Sequence, residues 1–106
     1  MSTGAALNSL PPRLVSRLKA LGRKYRAEGV ELFIFGSQSR KDRRPNSDLD
    51  LGVEWHRPVS PDLFRTICRD VEDLPTIRKV DLVDFSKASP AWREVAGRDR
   101  VMLSQE

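Results

Sequence analysis

The sequence predicts an α/β (α+β) fold: a mixed β-sheet of about four strands with helices packed on one face. Three observations lead there. Two stretches carry apolar residues at helical spacing, three short apolar runs have strand character, and the two kinds alternate along a chain of 106 residues. That length favours a single domain over residues 1–106, with residues 1–9 as a loose N-terminal end.

The elements follow in order. Pro11-Pro12 precede a stripe of Leu14, Leu18, Leu21 and Tyr25, which shares one helix face, and Gly29 is its stop signal. Glu31 to Phe35 is short, apolar and aromatic, and reads as a buried strand ended by Gly36. Gly36 to Ser47 is polar and reads as a loop. Asp48 to Trp55 is a second strand, broken by His56-Arg57-Pro58. Ser60 is a helix N-cap with Pro61 in the first position, and Leu63, Phe64, Ile67, Val71 and Leu74 give the stripe that Pro75 ends. Lys79 to Phe85 is a third strand. Ser89-Pro90 open a short helix through Trp92 and Val95, stopped by Gly97, and Arg100 to Leu103 form a last short strand.

Composition narrows the function classes. With 39% hydrophobic and 32% charged residues the chain reads as soluble and globular, and no apolar run approaches the roughly 18 residues of a membrane span. Met1 to Leu10 has neither the basic start nor the apolar core of a secretion signal. The single cysteine, Cys68, cannot form an internal disulfide and reads as a core residue of the second helix. A cytoplasmic location is expected. The net charge of +4 is uneven. Ten Lys/Arg face three Asp/Glu up to Asn46, a net of +7, whereas nine face twelve from Ser47 onward, a net of −3. The basic half points to an anionic contact or to a solvated helix face.

Ser47-Asp48-Leu49-Asp50-Leu51 is the segment richest in chemistry. On a strand, Asp48 and Asp50 project from the same face and the leucines from the other. Two carboxylates side by side repel, and a divalent cation such as magnesium, which favours hard oxygen ligands, relieves that repulsion. The competing reading is a pair of exposed strand-edge charges. Gly36-Ser37 follow a buried strand and precede Arg40, Lys41, Arg43 and Arg44. Backbone N–H groups of such a turn, the Ser37 hydroxyl and nearby guanidinium groups can bind phosphate oxygens. The alternative is an ordinary turn with solvated cations. In Val80-Asp81-Leu82-Val83-Asp84-Phe85 the two aspartates face opposite ways, so at most one can join Asp48 and Asp50. Asp81, well inside the apolar run, is favoured. Asp84 reads as a turn or capping residue.

Taken in order, Gly36-Ser37, Arg40, Ser47-Asp48-Leu49-Asp50-Leu51 and Val80-Asp81-Leu82 resemble the DNA polymerase β-like nucleotidyltransferase superfamily. Within it they are most similar to the minimal nucleotidyltransferases of prokaryotes. The resemblance spans roughly Leu14 to Leu103. Lys41 follows Arg40 where many relatives carry glycine, and Gln38 and Ser39 stand where arginine and alanine are common.

The resemblance implies that Asp48 and Asp50 hold two Mg²⁺ ions and that Asp81 completes the site of the ion that activates the attacking hydroxyl. Gly36 and Ser37 would hold the β- and γ-phosphates of ATP, supported by Arg40. It also implies a partner. Larger relatives carry an extra acceptor domain, for which a chain of this length has no room. Relatives of this size resemble antitoxins that transfer AMP from ATP to a tyrosine hydroxyl of a helical HEPN-type toxin. Others pair with a helical substrate-binding subunit, so a hetero-oligomer is expected.

A non-catalytic binding module that neutralises a helical partner by contact is the alternative. Direct nucleic-acid binding has only charge and Tyr25 in its favour. His56 reads as a loop residue, and Trp55 and Trp92 as core or interface aromatics.

Overall fold

Leu14, Leu18, Leu21 and Tyr25 share one helix face, and all four are buried on α1 (Pro12–Arg26). The computed structural model describes residues 10–35, 49–58, 60–77, 79–96 and 100–103. The expected loose end at residues 1–9 and the expected loop from Gly36 to Ser47 lie outside the described residues. Pro12 starts α1, where its missing N–H costs nothing. Arg23, Lys24 and Arg26 in the last turn complement the helix dipole. Gly29 then turns the chain with φ of +82°, a value that side-chain-bearing residues rarely adopt. Arg57 closes over that turn and donates to the carbonyls of Glu28 and Ala27, both at 3.2 Å.

The strands are β1 (Val30–Phe35), β2 (Leu49–Trp55), β3 (Val80–Asp84) and β4 (Val101–Met102), in the spatial order β3-β2-β1-β4. β1 pairs antiparallel with β2 and β4, whereas β2 and β3 are parallel. The parallel pair is the one whose connection contains α2 (Pro61–Glu72), because a parallel neighbour needs a crossover to carry the chain back. Ser60 caps α2 by accepting from the Leu63 N–H at 3.3 Å, and Pro61 holds its first turn, as expected.

Strand alternation divides the apolar residues between two clusters. Val30, Leu32 and Ile34 of β1 and Leu49, Leu51 and Val53 of β2 pack with the α1 stripe and with Ile67 and Val71 of α2. Each such buried side chain contributes about 1.5–3 kcal/mol. Phe33, Phe35 and Phe85 form the second cluster on the opposite face. The two long helices thus cover one face, as the sequence predicts. The short helix α3 (Pro90–Ala96) instead reaches the second cluster through Trp92.

Two details depart from the sequence expectation. The third strand ends at Asp84 rather than Phe85, because the Asp84 carboxylate accepts from the Ser86 N–H at 2.9 Å and bends residues 85–87 into a 3-10 turn. Cys68, expected in the core, is half-buried. Burial and the nearby Glu72 raise its pKa, so it is a protonated thiol at neutral pH.

Tyr25 of α1 donates its hydroxyl hydrogen to Asp70 of α2, and Lys24 reaches the same carboxylate at 3.0 Å. Burial and the bond to Asp70 push the Tyr25 pKa up to about 12. Burial opposes the charge on Asp70, but hydrogen bonds from Tyr25 and Lys24 outweigh it and hold that carboxyl below its ordinary pKa. As pH rises from the ordinary tyrosine value of about 10, the unfolded chain loses its proton first and stability falls until the folded pKa is passed. At the acid end the Asp70 contribution is present above the ordinary carboxylate value and is lost as pH falls through the folded one. Tyr25→Phe should therefore lower the melting temperature most at intermediate pH, with the gap to wild type narrowing towards both extremes. A gap constant across a thermal-melting series in pH would show that the pair does not couple folding to protonation.

Candidate functional site

The register of the parallel pair places Asp50 of β2 directly opposite Asp81 of β3. Adjacent strands lie about 4.8 Å apart, so the two carboxylates leave neighbouring points of one sheet face. Asp50 is also the cross-strand partner of Phe35, the last residue of β1. That face is the one bearing Phe33, Phe35 and Val83, opposite the long helices. Both aspartates are half-buried, and the Asp81 side chain is 45% exposed with Lys79 Nζ 4.0 Å away. The Leu49 N–H donates to the Lys79 carbonyl at 2.8 Å and fixes the register at the entrance of both strands.

Of the expected site residues, the structure thus brings Asp50 and Asp81 together. Asp48, Gly36, Ser37 and Arg40 lie outside the described residues. Phe35 immediately precedes Gly36, so the expected phosphate loop leaves β1 at the end of the sheet where Asp50 stands. Among the described residues no group of three or more potential metal ligands gathers. Asp84 behaves as a capping residue, and it lies on the face of the long helices, beside Trp55, Phe64 and Lys87 in a cavity of about 320 Å³. His56 follows β2 as a loop residue and stands 3.7 Å from Glu31.

Further along β2, Glu54 shares the face of Asp50 and receives two guanidinium groups, Arg100 at 2.9 Å and Arg93 of α3 at 3.8 Å. Arg100 also lies over the Phe33 ring at 4.2 Å. Between Asp50 and Glu54 stands Gly52, and a Cβ there would come within 2.3 Å of the Phe33 ring. Gly52 therefore lets the aromatic cluster lie flat on the sheet beside the carboxylates. Sequence reasoning missed this neighbourhood. Its signal was the alternation of residues 50, 52 and 54 on one strand.

The profile of the family described as Polymerase beta, Nucleotidyltransferase matches residues 19–106. The chain belongs to that family. Among solved structures, a chain of the toxin–antitoxin MntA–HpeT, in a mutant with two aspartates replaced by glutamate, superposes with a TM-score of 0.53 at 19% identity. The match covers 87% of this chain and 73% of that one. A candidate nucleotidyltransferase from Sulfolobus solfataricus gives a TM-score of 0.49 at 16% identity, over 96% of this chain and 86% of its own. No curated protein matches the sequence. At 19% identity the likeness to the MntA–HpeT chain is one of fold. Among the described residues no helix is long and apolar enough to cross a membrane.

In this nucleotidyltransferase-family chain the close contact of Gly52 with the Phe33 ring has a measurable consequence for stability. Gly52→Ala should lower stability by about 1–3 kcal/mol through overpacking against Phe33, read from urea denaturation. An unchanged midpoint would mean that the ring can move aside.

Proposed function

We propose that this chain is a Mg²⁺-dependent nucleotidyltransferase that moves AMP from ATP to a hydroxyl on a partner protein, as the antitoxin of a HEPN-type toxin. The observation that carries the reading is the pairing of Asp50 with Asp81 at the end of the sheet where the Gly36-Ser37 loop departs. Family membership supports the class of reaction.

The donor set fits a hard divalent cation, since it offers carboxylate oxygens on adjacent strands and no soft ligand. Asp50 and Asp81, with Asp48 one residue before β2, would hold two Mg²⁺ ions. When bound there, such ions supply charge compensation at both the attacking and the leaving oxygen of an in-line displacement.

The protein's own task is then positioning. Gly36 and Ser37 would hold the β- and γ-phosphates and Arg40 would support them. The three carboxylates set the direction from which the acceptor approaches. The acceptor oxygen bonds to the α-phosphorus, the bond to the bridging oxygen breaks, pyrophosphate leaves and the hydroxyl proton is released. Lys79 places a positive charge at the rim beside Asp81.

One point supports a protein acceptor. The fold is shared with a chain of a toxin–antitoxin pair. The two aspartates mutated there are separated by a single residue, as are Asp48 and Asp50.

The test uses the full chain, Mg²⁺, ATP labelled at the α-phosphate, and the protein encoded beside it in the genome. Label should pass to that neighbour. Asp50→Asn or Asp81→Asn should lower the rate by about 100-fold or more, whereas Asp84→Asn should retain it. If the wild type neutralises its neighbour without labelling it, and Asp50→Asn neutralises equally well, the protein is a contact inhibitor and the transfer reading fails.

A further inference from the structure

Trp92 is the tryptophan on the carboxylate face, and its packing does not account for its exposure. Its ring stands 4.9 Å from that of Phe85 and 6.1 Å from that of Phe35, centroid to centroid, yet the residue remains 41% exposed. Phe85 and Phe35 are themselves buried, so one side of the indole completes the aromatic cluster while the rest of it meets solvent. The other tryptophan, Trp55, packs against Phe64 on the face of the long helices.

The position of the open indole is what gives it a use. Phe35 is the cross-strand partner of Asp50, and side chains so paired begin about 5 Å apart. One cross-strand step, the length of the Phe35 side chain and the 6.1 Å step from ring to ring together keep the indole within roughly 15 Å of the carboxylate pair. A nucleoside whose α-phosphate lies at the carboxylates can extend along this face towards it. The helix that carries Trp92 is held against the sheet at a second point, where Arg93 meets Glu54 at 3.8 Å. An aromatic face anchored in this way can receive a base with little loss of side-chain freedom.

We propose that Trp92 is the stacking surface for the base of the nucleoside triphosphate. This rests on the nucleotidyl-transfer reading and adds to it the residue that grips the nucleoside rather than the phosphates. Stacking depends on the area of the π-face and tolerates different bases. Purine triphosphates, with the larger face, should bind more tightly than pyrimidine ones.

Calorimetric titration of the full chain with magnesium-ATP and with magnesium-tripolyphosphate separates base from phosphate. Trp92→Leu, which keeps an apolar contact but removes the ring, should weaken ATP by roughly 5- to 100-fold and leave tripolyphosphate unchanged. Trp92→Phe should retain most of the ATP affinity. ATP should quench tryptophan fluorescence in the wild type and not in Trp92→Phe, because Trp55 lies on the other face. Equal ATP affinity in Trp92→Leu and wild type, with tripolyphosphate bound by both, overturns the stacking role and leaves nucleotidyl transfer standing. Loss of binding to the neighbouring protein with ATP affinity intact also overturns it, and gives the ring to a protein interface. Binding of neither ATP nor tripolyphosphate to the wild type removes the transfer reading and the inference with it.

Discussion

The parallel pairing of β2 with β3 is the constraint on which the site depends. A crossover through α2 returns the chain to start β3 at the same end of the sheet as β2, and the ladder then sets Asp50 against Asp81. An antiparallel β3 would bring Asp84 rather than Asp81 towards that end. A slip of one residue would send Asp81 to the helix side, since side chains alternate along a strand. The slip is opposed by packing, because Val80 and Leu82 would lose their place against Leu49, Leu51 and the helices. The apolar core on one face thereby holds the like charges together on the other.

Like charges so held repel, and the structure surrounds them with groups that suit an anionic, aromatic ligand. Lys79 stands at the rim, and the phenylalanine cluster with Trp92 borders the carboxylates. Glu54, which adds a third negative charge to the face of Asp50 and Asp81, is engaged by Arg93 and Arg100. The face therefore divides into an acidic end and an aromatic side joined by Gly52. That order matches the metal-bound triphosphate and base proposed for it.

Much of this was legible in the sequence because it rests on periodicity. The stripes Leu14–Tyr25 and Leu63–Leu74 state their helices, and the odd separation of Asp81 and Asp84 assigns them to opposite faces by strand parity alone. Ser60 and Asp84 were readable as caps because a short polar side chain before a turn has few other uses. The sheet order was not legible. Which strands neighbour one another depends on contacts between residues far apart in the chain, such as Phe33 with Met102. For the same reason the Glu54–Arg100 pair and the placing of α3 on the site face escaped the sequence. The resemblance carried in Gly36-Ser37, Asp48, Asp50 and Asp81 named the family that the profile match then showed.

If the carboxylate face directs attack at the α-phosphorus as proposed, the products report it directly. Phosphorus NMR of the full chain with magnesium, ATP and the neighbouring protein follows every phosphate at once. One pyrophosphate should be released for each AMP that appears on the neighbour. Release of ADP or of orthophosphate in step with the modification would place the attack at the γ-phosphorus and contradict the proposal.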